Sequence, residues 1–472
     1  MFCARSVLLV AVLTIAWSTG AVSEDISQCE RALEAQRSGN LRGAIEDYSG
    51  CIDTGELSPT SLALVYLNRG IAWHHLGETR RAIEDYDRTL TLDSNLADAY
   101  FGRGVAWIDL GEPRRAIEDY DQAIALNPDD ARFYYNRGNV WIDLGEPRRA
   151  IEDYDRALAL DPNLAIAYSL RGSAWVELGE PRRAIEDYER ALALDPNHAN
   201  AFNSRGSAWI DLGEPRRAIQ DYDQAIALNP DDANFYYDRG NAWHSLGEAR
   251  RAIEDYDRAL ALNSDDAVAY YNRGIAWQDL GELNRALESY DQAVALNPGY
   301  TEAYLNRGNV WFALDEFTPA IVDYDRVIAL DTDYLEGYLN RGLVWYALGE
   351  YHRVIEDFNR VIDLNPDHVE GYKFRGNAWL ALGNYGRAIE DFDRAIDLDP
   401  RMVDAYRGRG LAFGYQGEFR EAIEDYNRVI VLDPDNVLAH FFRGVAWQDL
   451  GDLHRANEGD SSAIENYVRA IE

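Results

Sequence analysis

The chain has 472 residues, and its 82 acidic against 46 basic residues give a formal net charge of −36 at pH 7. This charge argues against a nucleic-acid backbone as the main partner, because phosphate binding requires clustered basic side chains. A hydrophobic content of 47% is ample for a folded core and excludes a disordered acidic tail. Composition therefore predicts an acidic, well-packed protein.

Residues 1–23 have the layout of a cleavable secretory signal. Arg5 provides a positive start, an apolar run follows over 7–17, and small residues then offer cleavage after Ala21 or Ser23. The run is too short for a membrane span, which needs about 20 apolar residues. We therefore predict an exported protein (periplasmic, secreted or in an organelle lumen) with no membrane span after signal removal. An uncleaved anchor is the alternative.

An internal repeat of 34 residues organises the rest of the chain. Twelve Arg-Gly pairs place glycines at this interval from Gly70 to Gly444. Trp stands three residues after each glycine, except for Phe413, while Ala recurs twelve residues after it and Tyr or Phe sixteen residues after it. Such a period indicates stacked copies of one helical unit.

Thirteen units account for nearly the whole chain. The first is degenerate, because Ala44, Ile45 and Tyr48 match their equivalents in the next unit at an offset of 38 residues. We therefore assign residues 24–62 to a degenerate first repeat, 63–436 to eleven regular repeats and 437–472 to an irregular last repeat. This division leaves no room for a separate catalytic domain.

Each unit is predicted to be a pair of helices. In the unit that begins near residue 97, Tyr100, Gly104 and Trp107 follow a helical spacing, and a Leu-Gly-Glu turn comes next. Pro113 begins the second helix, at a position where its missing N–H costs nothing.

This pattern resembles the tetratricopeptide repeat family over nearly all of residues 25–472. The resemblance implies an all-α fold, a right-handed α-solenoid or superhelix of stacked helix-turn-helix repeats. It also implies a concave face, lined by the first helices, that binds peptides or protein segments. In one unit the residues that match the family are Tyr100, Gly104, Trp107, Gly111, Ala116, Tyr120, Ala123 and Pro128.

An Arg precedes every repeat glycine, and an Asp usually stands fifteen residues after that glycine. In an antiparallel hairpin the two positions lie at similar heights, so we predict repeated structural ion pairs within a repeat or between neighbouring repeats, since a partly buried charge needs a partner. Ser289 replaces the Asp in one repeat, so Arg273 is expected to lack that partner. An Arg ladder that binds an anionic ligand is the alternative. The predicted pairs include Arg103 with Asp119, Arg137 with Asp153 and Arg307 with Asp323.

Asn side chains recur on the first helices, two residues before the glycine and one residue after it. Their amides both donate and accept hydrogen bonds, which suits an extended peptide backbone. Solvated Asn with no ligand is the alternative. Aromatic side chains beside them would add apolar contacts, and the densest set lies over residues 233–377. The predicted groove residues are Asn136, Asn139, Asn241, Asn272, Asn306, Asn309, Asn340, Asn377, Tyr237, Tyr271, Phe312 and Tyr346.

The carboxylate clamp known in the family, which uses Lys and Asn, is not predicted here. Lys373 with Asn377 imitates its first half. Gly408 stands where the next unit would need Asn, and the chain has no other Lys.

Two cysteines remain after Cys3 leaves with the predicted signal. Cys29 and Cys51 fall on the two helices of the first repeat, at matching heights if those helices are antiparallel. In an oxidising compartment we predict a disulfide that closes the end of the repeat array. Two free buried thiols in a cytosolic protein are the alternative.

No sequence pattern points to catalysis. The eight His residues are scattered without metal-ligand spacing, and no nucleotide fingerprint or calcium loop stands out. We therefore predict a protein that is not an enzyme and holds no metal and no cofactor.

The leading functional hypothesis is an exported, non-enzymatic scaffold that holds an extended protein or peptide segment, with an acidic surface that favours a basic partner. One alternative is a regulatory or recruiting subunit of an enzyme or of a secretion or assembly complex. Another is a structural solenoid that forms homo-oligomers through its terminal repeats.

Overall fold

The computed structural model describes residues 24–451, and all 25 elements of that part of the chain are α-helices. Within each of the two units described below, successive helices pair into hairpins, in which an odd-numbered first helix is followed by an even-numbered second helix. The signal predicted for residues 1–23 and the insertion near 457–462 lie outside the described residues. The all-α solenoid of helical hairpins is confirmed, and the chain divides into two compact units between Leu246 and Gly247.

The first unit consists of six hairpins and one further first helix. Its helices are α1 (Glu24–Arg37), α2 (Leu41–Asp53), α3 (Pro59–His75), α4 (Thr79–Leu92), α5 (Ala97–Asp109), α6 (Pro113–Leu126), α7 (Ala131–Asp143), α8 (Pro147–Leu160), α9 (Ala165–Glu177), α10 (Pro181–Leu194), α11 (Ala199–Asp211), α12 (Pro215–Leu228) and α13 (Ala233–Ser245).

The second unit begins with a second helix, continues with five hairpins and ends its described part with a first helix. Its helices are α14 (Ala249–Leu262), α15 (Ala267–Asp279), α16 (Leu283–Leu296), α17 (Thr301–Ala313), α18 (Phe317–Leu330), α19 (Leu335–Ala347), α20 (Tyr351–Leu364), α21 (Val369–Ala381), α22 (Tyr385–Leu398), α23 (Val403–Gln416), α24 (Phe419–Leu432) and α25 (Val437–Asp449).

The second repeat starts earlier than the predicted boundary after residue 62. Helix α3 begins at Pro59 and has 17 residues, whereas the regular first helices have 13 or 14. The Ser58 hydroxyl accepts a hydrogen bond from the Ser61 N–H, and Pro59 follows at the first helical position. The four residues added to this repeat therefore extend the first helix by one turn.

Two glycine positions set the geometry of each hairpin. Gly111, with φ of 76°, ends the turn after α5, and its N–H donates to the Ile108 carbonyl. Gly104 faces the ring of Tyr120, and a Cβ added there would lie 2.7 Å from Tyr120 Cε1. The Arg-Gly repeat therefore exists because a buried Tyr of the second helix fills the space that the glycine leaves.

A disulfide joins the first two helices. Cys29 of α1 and Cys51 of α2 are bonded, with their Cα atoms 5.5 Å apart. Both residues are buried, and they pack with Ala32, Ala44 and Tyr48. The bond closes a 22-residue separation and constrains a repeat that has a described neighbour on one side only.

The spacing of Arg and Asp, which is repeated along the chain, produces a ladder of ion pairs. Arg103 Nε and Nη2 donate to the two carboxylate oxygens of Asp119, at 2.9 and 2.6 Å. Its Nη1 donates to Asp87, on the second helix of the preceding repeat, at 2.5 Å. Arg103 therefore binds its own repeat to the one before it, and the fork of its guanidinium fits both carboxylates.

The same arrangement recurs along both units. Asp119 is only 5% exposed, and the hydrogen bonds to its carboxylate raise the pKa of Arg103, so the guanidinium stays charged. The alternative of an Arg ladder open to an anionic ligand is not what the structure shows, because the Arg side chains are engaged. The other Arg residues bound bidentately to the Asp of their own repeat are Arg69, Arg137, Arg171, Arg205, Arg307, Arg341, Arg375 and Arg409.

Arg273 lacks the buried Asp, as predicted, but it finds two other partners. Its Nε donates to the Ser289 hydroxyl at 3.1 Å, and its Nη1 donates to Asp257 at 2.7 Å. The Asp of other repeats accepts two hydrogen bonds from the guanidinium, whereas the uncharged Ser289 hydroxyl accepts one. The pair in this repeat is therefore weaker than the pair of Arg307 with Asp323 in the next repeat.

Replacing Ser289 by Asp should restore the pair to its usual form. We expect Ser289→Asp to raise the free energy of unfolding of the second unit by about 1–2 kcal/mol, because a charge-assisted bidentate bond replaces a neutral one. Urea denaturation followed by circular dichroism measures the change.

The matched control is Ser289→Asn, which adds similar volume without charge. A gain with Asn equal to the gain with Asp would show that packing, and not the ion pair, determines stability at this position.

Candidate peptide-binding surface

Most of the predicted groove residues lie on the first helices of the second unit. We use the term first-helix surface for the side of α15, α17, α19 and α21 that carries Asn272 on α15 and, on the other three helices, the four side chains Asn306, Asn309, Asn340 and Asn377. These four side chains are all half-buried. Their polar atoms are therefore accessible from one side and supported from the other.

Two Asn side chains of consecutive repeats are hydrogen-bonded to each other. Asn340 Nδ2 donates to Asn309 Oδ1 at 2.9 Å, and the Tyr324 hydroxyl donates to the same oxygen at 2.9 Å. Within residues 24–451, neither Asn309 Nδ2 nor Asn340 Oδ1 has a hydrogen-bond partner. One donor and one acceptor are therefore held side by side on neighbouring first helices.

Asn306 and Tyr271 form a second polar contact on this surface. Asn306 Nδ2 donates to the Tyr271 hydroxyl at 3.0 Å, and the Tyr271 ring lies 4.9 Å from the ring of Tyr300. Burial raises the pKa of Tyr271, and the Glu302 carboxylate raises it further. The phenol therefore stays protonated and keeps a hydrogen to donate.

Aromatic rings border the Asn side chains. Phe312 packs against Phe317 with ring centroids 5.9 Å apart, and Tyr346 meets Phe374 edge-on at 5.5 Å. Phe312 and Tyr346 are half-buried, so each presents part of a ring that a neighbour holds in place. Such rings provide apolar contact at low entropic cost.

Two further predicted residues lie in the same unit. Asn272 is half-buried on α15. Asn377, on α21, makes no side-chain hydrogen bond to any residue within 24–451. It therefore offers both a donor and an acceptor.

The remaining predicted residues belong to the first unit. Asn136 is 9% exposed, and its amide donates to the Arg132 carbonyl at 2.8 Å, so its N–H group is used within its own helix. Asn139 is half-buried and accepts from the Tyr154 hydroxyl at 2.7 Å. Tyr237 and Asn241 are half-buried on α13. The predicted groove residues therefore belong to two different units of the chain.

Sequence reasoning missed the residues at the start of the first helices. Tyr300 and Tyr334 immediately precede α17 and α19, and Glu302 and Glu336 are the second residues of those helices. The two Tyr residues occupy one position of the repeat and the two Glu residues occupy another. Comparing these two positions between repeats would have found all four.

Lys373 is not available for a carboxylate clamp. Its ammonium forms an ion pair with Glu370 one turn earlier and lies 4.3 Å from the centroid of the Phe374 ring. The charge is therefore engaged within α21.

No group of three or more His, Cys, Asp or Glu side chains that could hold a metal ion occurs within residues 24–451. No helix in that range has the length and apolar character needed to cross a membrane.

Family models match several parts of the chain. Models described as tetratricopeptide repeat match residues 101–165, 165–198, 267–300, 335–368 and 403–436, and a model described as TPR repeat matches 206–247, 240–281 and 376–417. Together they cover more than half of the 472 residues. No curated protein matches the whole sequence or a part of it.

Three solved structures illustrate the similarity. The MamA structure is 28% identical, covering 34% of this chain and 94% of MamA, with a TM-score of 0.33. YrrB, described as a TPR protein with an unusual peptide-binding site, is 27% identical, covering 40% of this chain and 96% of YrrB, with a TM-score of 0.35. The Cut9–Hcn1 hetero-tetramer is 15% identical, covering 90% of this chain and 96% of the matched chain, with a TM-score of 0.39.

Members of this family are generally non-catalytic. The chain belongs to the tetratricopeptide repeat family, and its stacked helical hairpins form a scaffold for protein–protein interaction.

Proposed function

We propose that this protein is an exported, non-enzymatic scaffold that binds extended protein segments on the first-helix surface of its second unit. The family assignment supports the general role in protein interaction. The arrangement of Asn and aromatic side chains on α15, α17, α19 and α21 supports the location and the extended form of the ligand.

The observation that carries the proposal is the row of unsatisfied amide atoms. Asn309 Nδ2 is a donor, Asn340 Oδ1 is an acceptor, and Asn377 offers both. An extended backbone exposes one N–H and one C=O per residue, so it can bond to such a row whatever its side chains. Affinity then accumulates from several modest hydrogen bonds.

The half-buried rings add the apolar part of the contact. Phe312 and Tyr346 flank the Asn side chains and are themselves packed against neighbouring rings. A ligand side chain that covers them removes apolar surface from water without requiring the rings to reorganise.

Two features support export. Residues 1–23 have the composition of a secretory signal, and Cys29 and Cys51 are disulfide-bonded. Structural disulfides persist in oxidising compartments and are rare in the cytosol.

Removing the amides should weaken peptide capture without unfolding the protein. We expect phage-displayed random peptides selected on the wild-type protein to bind the Asn309→Ala/Asn340→Ala/Asn377→Ala variant about tenfold to a hundredfold more weakly, because each lost hydrogen bond costs about 1 kcal/mol. Bio-layer interferometry on the enriched peptides measures the loss.

The matched control is Asn200→Ala/Asn234→Ala, which removes two exposed amides from first helices of the first unit. Peptides that lose equal affinity for both variants, or a library that yields no binding peptide, would contradict the location of the site.

The intact mass of the protein from its native host tests export. We expect a mass about 2 kDa below that of the full chain, since a signal of this length is removed. Alkylation without reduction should leave Cys29 and Cys51 unmodified, and both should react after reduction. A full-length chain with two reactive thiols would contradict export.

A further inference from the structure

Four consecutive first helices of the second unit carry an acidic residue at their second position. The residue three positions later changes along the series, from Leu in two repeats to a cation in the next two. The acidic residues are Glu302, Glu336, Glu370 and Asp404, and the residues three positions later are Leu305, Leu339, Lys373 and Arg407.

In the last two repeats of this series the acid is neutralised within its own helix. Lys373 forms an ion pair with Glu370, and Arg407 Nη2 lies 2.7 Å from Asp404 Oδ1. Residues three apart on a helix are neighbours, so these contacts need no rearrangement. The first-helix surface can therefore hold a cation beside the acid at this position.

In the first two repeats of the series the acid has no such partner. Glu302 and Glu336 are exposed, and Leu305 and Leu339 stand where the other repeats have Lys and Arg. Within residues 24–451, neither Glu302 nor Glu336 forms an ion pair or a side-chain hydrogen bond. The two carboxylates are unneutralised charges on the surface that carries the Asn side chains.

A Tyr stands two residues before each of these carboxylates, Tyr300 before Glu302 and Tyr334 before Glu336. Burial raises the pKa of Tyr334, and the Glu302 and Glu336 carboxylates raise it further. Glu302 acts in the same way on Tyr271, whose ring lies 4.9 Å from that of Tyr300. An acid beside aromatic rings is an environment that favours a cationic side chain.

We infer that the extended ligand carries two cationic side chains, which bind beside Glu302 and Glu336 in the places that correspond to the Lys373 and Arg407 head groups two repeats further on. This inference rests on the proposed function and specifies the ligand class as a Lys- or Arg-containing extended segment. The positions beside Glu370 and Asp404 take no ligand cation, because Lys373 and Arg407 already occupy the equivalent places.

The repeat geometry also limits the spacing of the two cations. Helices α17 and α19 touch each other, and packed helices have axes about 8–10 Å apart. A polyproline II segment advances about 3.1 Å per residue with three residues per turn, so side chains three residues apart point the same way at about 9 Å. A ligand in the polyproline II conformation therefore places its two cationic side chains at positions i and i+3.

Fluorescence anisotropy on the full protein tests the inference with a labelled peptide that contains Lys-Pro-Pro-Lys between Gly-Ser ends. We expect it to bind about tenfold more tightly than the same peptide with norleucine in place of both Lys. Added salt should weaken the Lys peptide and leave the norleucine peptide nearly unchanged. Equal affinity of the two peptides would overturn the inference.

Three variants locate the effect. Glu302→Gln/Glu336→Gln should lower the affinity for the Lys peptide to that for the norleucine peptide. Glu370→Gln should change the affinity for the Lys peptide less than about twofold, because Glu370 is already paired with Lys373. Leu305→Lys/Leu339→Lys should abolish the preference as well, because each new ammonium would neutralise its own Glu. A loss with Glu370→Gln as large as with the double Gln variant would overturn the assignment.

The outcomes also separate this inference from the proposed function. If neutral peptides bind and depend on Asn309 and Asn340 while the Lys peptide shows no preference, the cation subsites are wrong and the scaffold function stands. If no extended peptide binds the wild-type protein, both fail. Thermal unfolding of each variant confirms that affinity changes do not arise from loss of structure.

Discussion

A guanidinium held between carboxylates of two consecutive second helices is the interaction on which the rest of this structure depends. Arg307 shows it fully, with Asp323 bound bidentately in its own repeat and Asp291 bound in the repeat before. A helical repeat has no stability alone and depends on its neighbours, so a contact that joins adjacent repeats has more effect than one within a hairpin. The geometry requires a planar fork, which explains why all twelve positions before the repeat glycines are Arg and none is Lys.

Because this ladder and the glycine–tyrosine contact fix each hairpin, the outward positions of the first helices can vary without affecting the fold. Leu305 and Lys373 occupy equivalent positions in two repeats, and both helices have the same length and pair with their second helices in the same way. Function in such a protein lies in the side chains placed on a constant frame. The second unit uses this freedom to place Asn, Tyr and Glu residues on one surface.

Periodicity alone predicted the hairpins, the Arg–Asp spacing and the cysteine pair, because all three follow from which residues share a face. It could not predict burial depth: Asn136 and Asn340 stand at equivalent positions, yet one donates to its own helix and the other to Asn309. It also did not single out the Asp of the preceding repeat that binds many of these Arg residues, such as Asp87 for Arg103. The loop residues Tyr300 and Tyr334 precede their helices, where helical spacing gives no direction.

The most direct test of the account is a crystal structure of the protein bound to the Lys-Pro-Pro-Lys peptide. The account predicts an extended peptide along α17 and α19, with its backbone bonded to Asn309 and Asn340 and its two ammonium groups beside Glu302 and Glu336. A peptide bound along the second helices, or at the ends of the repeats, would contradict it.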